Sequence, residues 1–126
     1  MALHATILAR ATTHAGLSVL IGARCYPLRL PETPTLPALS YQRISSPEKA
    51  GTSGVHHPRY QFDCWGTTYV QAEAVAVQVE AAFAEHRAAG TPDYRGGQRV
   101  GQLDTYDPAT GRYRVIVDMR LSVIDS

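Results

Sequence analysis

The residues able to do chemistry are few and scattered along the chain. His56-His57 is the most conspicuous pair. Adjacent side chains on a strand point apart, and on a loop they converge on a metal only with a third ligand nearby. No Cys, His or carboxylate follows at metal-site spacing, so the pair reads as part of a solvated loop. Cys64 beside Trp65 suggests a nucleophile, but a reactive thiol needs a base and an electropositive setting. Its alternation with Tyr60 and Phe62 makes it a small core residue instead. Asp104 and Asp107 could form an acid/base pair. Asp107-Pro108 is better explained by turn chemistry, and Asp104 reads as a solvent-facing strand residue. Gly96-Gly97 lacks the spacing and the following helix of a phosphate loop, and nothing local resembles a nucleophile elbow. The sequence therefore assigns no catalytic residue, no cofactor site and no metal ligand. Arg95, Arg99, Arg112, Arg114 and Arg120 cluster towards the C-terminal end. They form either a solvated sheet face balanced by Asp104, Asp107 and Asp118, or a surface that meets a subunit, another protein or DNA.

The elements that must position these residues follow from two periods. Tyr60-Gln61-Phe62-Asp63-Cys64-Trp65 alternates, which marks a half-buried strand. A helix follows over about 69–86, with Ala72, Val75, Ala76, Val79, Ala82 and Phe83 on one apolar stripe and Thr67 or Thr68 as cap. This strand and helix should pack together as the core. Upstream, residues 3–14 read as a helix closed by Gly16, and Leu17 to Ile21 as a single turn or a buried connection. Arg24 to Tyr26 is a short strand. Pro27, Pro31, Pro34 and Pro37 make the next segment extended and irregular. Residues 38–45 form a strand whose Ile44 breaks the alternation, as if both faces were covered. Residues 46–58 are an exposed hairpin loop, which makes strands 38–45 and 60–65 antiparallel neighbours. A second loop spans 88–97. Strands at 98–106 and 112–124, joined at Asp107-Pro108-Ala109-Thr110-Gly111, form a final hairpin. The fold class is α+β: a mostly antiparallel sheet of four to five strands, with an N-terminal helix and one long helix on one face.

At 126 residues the chain is expected to form one domain, large enough to bury a core without staples. A net charge of +1 gives no argument for a broad nucleic-acid surface or an acidic partner, and leaves a local patch open. The apolar stretches are too short to span a membrane, and no signal-peptide pattern opens the chain. Two cysteines, Cys25 and Cys64, make no disulfide framework.

Several stretches, in order, resemble the small tail-completion or tail-terminator proteins of tailed phages and phage-like gene-transfer particles. Gly22-Ala23-Arg24-Cys25-Tyr26-Pro27 is similar to that family's Gly-x-Arg-x-Tyr-Pro. Leu36-Pro37-Ala38-Leu39-Ser40-Tyr41-Gln42-Arg43-Ile44-Ser45, the Tyr60–Trp65 strand with its Asp63 and Trp65, Ala72-Glu73-Ala74 in the helix, and the closing strand Arg112–Arg120 resemble its other motifs. The resemblance implies a structural virion protein of the tail, assembled in the host cytoplasm and lacking enzymatic activity and cofactor. It implies a homo-oligomeric, hexameric ring at the head-proximal end, which stops tail-tube growth and joins a head-completion (connector) protein, with DNA passing through the lumen. It implies no membrane partner. Candidate interface residues are Glu48, Lys49, His56, His57, Arg59, Tyr94, Arg95 and Arg99, on the 46–58 and 91–99 loops and their margins. Candidate lumen or sheet-face charges are Arg112, Arg114, Asp118 and Arg120. A second reading is a small ligand- or peptide-binding module using the 27–37 segment and the sheet face, which requires a deep pocket. A third, an enzyme, requires Cys64, His56 and His57 to converge.

Overall fold

The computed structural model describes residues 3–45, 55–84, 86–89 and 93–124. Among these residues three helices, α1 (Leu3–Thr13), α2 (Ala15–Ile21) and α3 (Tyr69–Ala84), accompany six strands. The strands are β1 (Cys25–Pro27), β2 (Ala38–Ser45), β3 (Val55–His56), β4 (Arg59–Gly66), β5 (Asp93–Asp107) and β6 (Arg112–Ile124). The expected α+β class is observed. β2 and β4 are antiparallel neighbours, and β5 and β6 form the closing hairpin. β1 pairs with β2 in parallel. β3 and β4 lie along the same edge of β6, and β5 lies along the other. Helix α3 therefore links two strands that are separated by β6.

Alternation decides which face is buried. Leu39 and Tyr41 of β2, Tyr60, Phe62 and Cys64 of β4, and Val115, Val117, Met119, Leu121 and Val123 of β6 all point under the helices. They meet Leu3 and Ile7 of α1, Leu17 and Ile21 of α2, and the Val75–Val79–Phe83 stripe of α3. Phe62 and Phe83 stack with ring centroids 4.8 Å apart, which joins the central strand to the long helix. Thr68 caps α3 by accepting from the Gln71 N–H at 3.1 Å, while Gln71 Oε1 accepts from the Thr67 N–H at 2.8 Å. This is a capping box displaced by one residue on its return bond. The strand-to-helix turn is tight at Gly66, where a Cβ would lie 2.7 Å from the Ala72 nitrogen.

Four local readings change. Gly16 does not close α1: the chain restarts as a helix at Ala15, and the left-handed terminal residue is Gly22 (φ 59°), whose N–H reaches the Ser18 carbonyl at 2.9 Å. Ile44 is 42% exposed, because the helices cover only one face. β5 begins at Asp93 rather than Gln98. Its Gly96 has φ 99° at a break in register between Tyr94 and Gly97, so these glycines mark a bulge inside a strand, not a loop. Val55 and His56, expected in a loop, pair with Ile124 and Val123.

Candidate functional site

The helix-free face of the sheet carries the polar groups. Ser40 and Gln42 of β2, Arg59, Gln61, Asp63 and Trp65 of β4, and Arg112, Arg114, Asp118 and Arg120 of β6 alternate with the core residues and so point away from the helices. Register then makes pairs. Arg59 forms an ion pair with Asp118 across a diagonal: Arg59 stands opposite Arg120, and Asp118 opposite Gln61. The Arg114 guanidinium lies 5.0 Å from the centroid of Trp65, its partner in register, and its Nη1 is 3.6 Å from Asp63. Trp65 Nε1 donates to Ser40 Oγ at 2.9 Å, and Gln61 donates to Asp63 at 2.8 Å.

Asp63 is buried within this cluster, and desolvation raises its carboxyl above the usual carboxylate value, opposed by the Gln61 hydrogen bond and by Arg114. Arg114 Nε is also buried and finds no hydrogen-bond partner among the described residues. The chain segment after β1 borders the cluster: Leu28 N–H donates to the Tyr41 carbonyl at 2.7 Å. Together Leu28–Leu30, Ser40, Gln42, Gln61, Asp63, Trp65, Arg112 and Arg114 line an open polar groove of about 480 Å³. No sequence motif announces this cluster. Its signal is the shared outward parity of Ser40, Asp63, Trp65 and Arg114, which becomes contact only once the strand register is fixed.

The nominated catalytic groups do not converge. Cys64 lies opposite Val115 and His56 opposite Val123, roughly 27 Å apart along β6 at about 3.4 Å per residue. Cys25 is raised to about 12 by burial, and Cys64 is held well above the ordinary thiol value by burial and Asp63. Leu39 stands between them in register, so the two thiols are two strand spacings apart, roughly 10 Å, and both are free. Asp104 does not face solvent alone: it accepts from the Tyr69 hydroxyl at 2.7 Å and ties β5 to α3. Asp107 does serve the turn, accepting from Ala109 N–H at 3.1 Å and Thr110 Oγ1 at 2.8 Å. Among the described residues no three metal-binding side chains come together.

The interface candidates divide. Tyr94 is a correction: it is buried, with its hydroxyl donating to the Phe83 carbonyl at 2.6 Å, because β5 extends back under α3. His56 is half-buried, and its Nε2 has no hydrogen-bond partner among the described residues, whereas the exposed His57 meets Ser122 Oγ at 3.2 Å. Arg95 pairs with Asp93 at 3.1 Å and Arg99 with Glu80 at 3.6 Å. Glu48 and Lys49 lie outside the described residues. Exposed apolar side chains that sequence reading did not single out as a surface are Val19 on α2, Val70 and Val77 on α3, and Val100, Leu103 and Tyr106 on β5. Open grooves of about 590 Å³ between α2 and α3 and about 430 Å³ between α3 and β5 meet at Val77.

Among the described residues the site candidates lie on separate surfaces, and beyond the Ala88–Tyr94 bridge the outer edge of β5 has no strand partner. The chain belongs to the family of the tail completion protein gp17, whose model matches residues 5–124. It is a structural tail protein and a virion component, of a family that is generally non-enzymatic. A chain from the virion of a native gene transfer agent particle shares the fold, at 17% identity and a TM-score of 0.75, over 97% of this chain and 94% of that one. No curated protein sequence is significantly similar. No described helix is long and apolar enough to cross a membrane.

Proposed function

We propose that the protein is a subunit of a hexameric ring at the head-proximal end of the tail. The ring caps the tail tube, ends its growth, and offers its other rim to a head-completion (connector) protein, with DNA passing through the lumen. Assembly takes place in the host cytoplasm. The observation that carries this reading is the family match over residues 5–124.

The surface supports it. β5 is a long edge strand with exposed Val100, Leu103 and Tyr106, and the helix layer exposes Val19, Val70 and Val77. Such an edge and such apolar patches are ordinarily covered by a partner. These two surfaces differ, so contact between them is heterologous and closes by rotation into a ring. The helix-free face suits a lumen wall, because Arg59–Asp118 and Arg114–Asp63 offset part of its charge, so that DNA is held only weakly and slides. His57, Arg59, Arg95 and Arg99, with Glu48 and Lys49, remain interface candidates.

The test is assembly. Purified protein mixed with tail tubes should give capped tubes of uniform length by electron microscopy, with a ring at one end. Tubes that keep growing in its presence would contradict the reading. Deleting residues 48–55 should spare folding but weaken ring or tube association. Unchanged association would remove that loop from the interface.

A further inference from the structure

We infer that the groove around Trp65 is a phosphate-binding site, and that through it the subunit touches the backbone of DNA weakly and without reading sequence. The inference draws on the lumen reading only for its biological role, since the groove lies within one chain.

The groove is bordered by three arginines, Arg29, Arg112 and Arg114, against one carboxylate, Asp63. Arg29 and Leu30 also line the adjoining groove, where Glu32 adds a second carboxylate at the margin. Arg114 is held in place by stacking on Trp65, and only Nη1 approaches Asp63, at 3.6 Å, which is too long for a hydrogen bond. Its Nε is covered and has no hydrogen-bond partner among the described residues, while the side chain as a whole is about one-third exposed. The side chains of Arg29 and Arg112 make no hydrogen bond or ion pair among the described residues. Elsewhere on the face the Arg59 guanidinium is occupied by Asp118, and Arg120 donates to Gln98 at 3.3 Å. The unspent cationic donors therefore converge here. Planar guanidinium forks match phosphate oxygens, and Gln42 and Gln61 add amide donors at the rim. A polynucleotide backbone fits better than an acidic protein segment. The groove is open and polar, with Leu28 and Leu30 the only aliphatic lining, so it offers little apolar surface on which a peptide could anchor.

Trp65 is the sole tryptophan, and its fluorescence reports on the site directly. The full chain should be titrated with a short DNA duplex at about 50 mM and about 200 mM salt. We expect saturable change in Trp65 emission, weakened roughly tenfold by the higher salt if two phosphates are engaged. Arg29→Ala combined with Arg112→Ala touches no core contact and should lower affinity about tenfold at the lower salt while leaving the fold intact by circular dichroism. Poly-glutamate of equal charge should bind more weakly. Three results would each overturn the site: no Trp65 response to DNA at low salt, an undiminished response in the double variant, or tighter binding of poly-glutamate. A chain that never forms rings yet shows the expected response would sink the ring and keep the site; the reverse result would do the opposite.

Discussion

The two faces of the sheet are built from the same strands, yet they do different work. Under the helices, Leu39, Phe62, Val117 and Leu121 are fully covered and interchangeable in kind: any apolar side chain of suitable volume would be tolerated. On the open face, Asp63, Trp65 and Arg114 are specific in kind, because each satisfies or orients another. The covered face holds the subunit together by area, and the open face holds a charge arrangement by geometry. Substitutions on the two faces should therefore differ in size and in how they respond to pH.

The largest effect is expected from Phe62→Ala, which removes the ring stacked on Phe83 and should cost about 3–5 kcal/mol in urea unfolding. A loss below about 1 kcal/mol would mean that the covered face repacks freely. Gly66→Ala comes next. Its Cβ would meet backbone at 2.7 Å and 2.9 Å, so the strand-to-helix turn must shift, at a cost of about 2 kcal/mol.

Arg114→Ala sharpens the contrast. It leaves Asp63 buried without its cation, which should destabilise by about 1–2 kcal/mol at neutral pH. Removing Arg114 raises the folded Asp63 carboxyl further above its ordinary value of 3.8. A group with a raised folded value contributes its stability below the unfolded value and loses it as pH rises through the folded one. The deficit should therefore shrink as pH falls through the carboxylate range, as unfolding at about pH 7 and about pH 3.5 would reveal. Phe62→Ala should show no such trend. The smallest effect is expected from Thr68→Ala, which loses the α3 cap for about 1 kcal/mol, measured by thermal melting.

Much of this fold was legible because period two and period 3.6 are local signals. The Tyr60–Trp65 strand, the α3 stripe and the closing hairpin all follow from them. What stayed hidden depends on long-range pairing. Gly96 and Gly97 look like a loop until β6 supplies a partner and turns them into a bulge, and with that Tyr94 moves from surface to core. Val55 and His56 become a strand only because the end of β6 lies beside them. The tail-completion family was legible from ordered motifs, including the Trp65 strand. The Trp65–Arg114 cluster was not, since its members meet across strand registers that no single segment encodes.

The most direct test of the ring is mass in solution, by light scattering over a concentration series, alone and with tail tubes. We expect the 13.7 kDa chain to reach the mass of a closed hexamer at high concentration or on the tube end. A chain that stays monomeric throughout and does not associate with tubes would contradict the central claim.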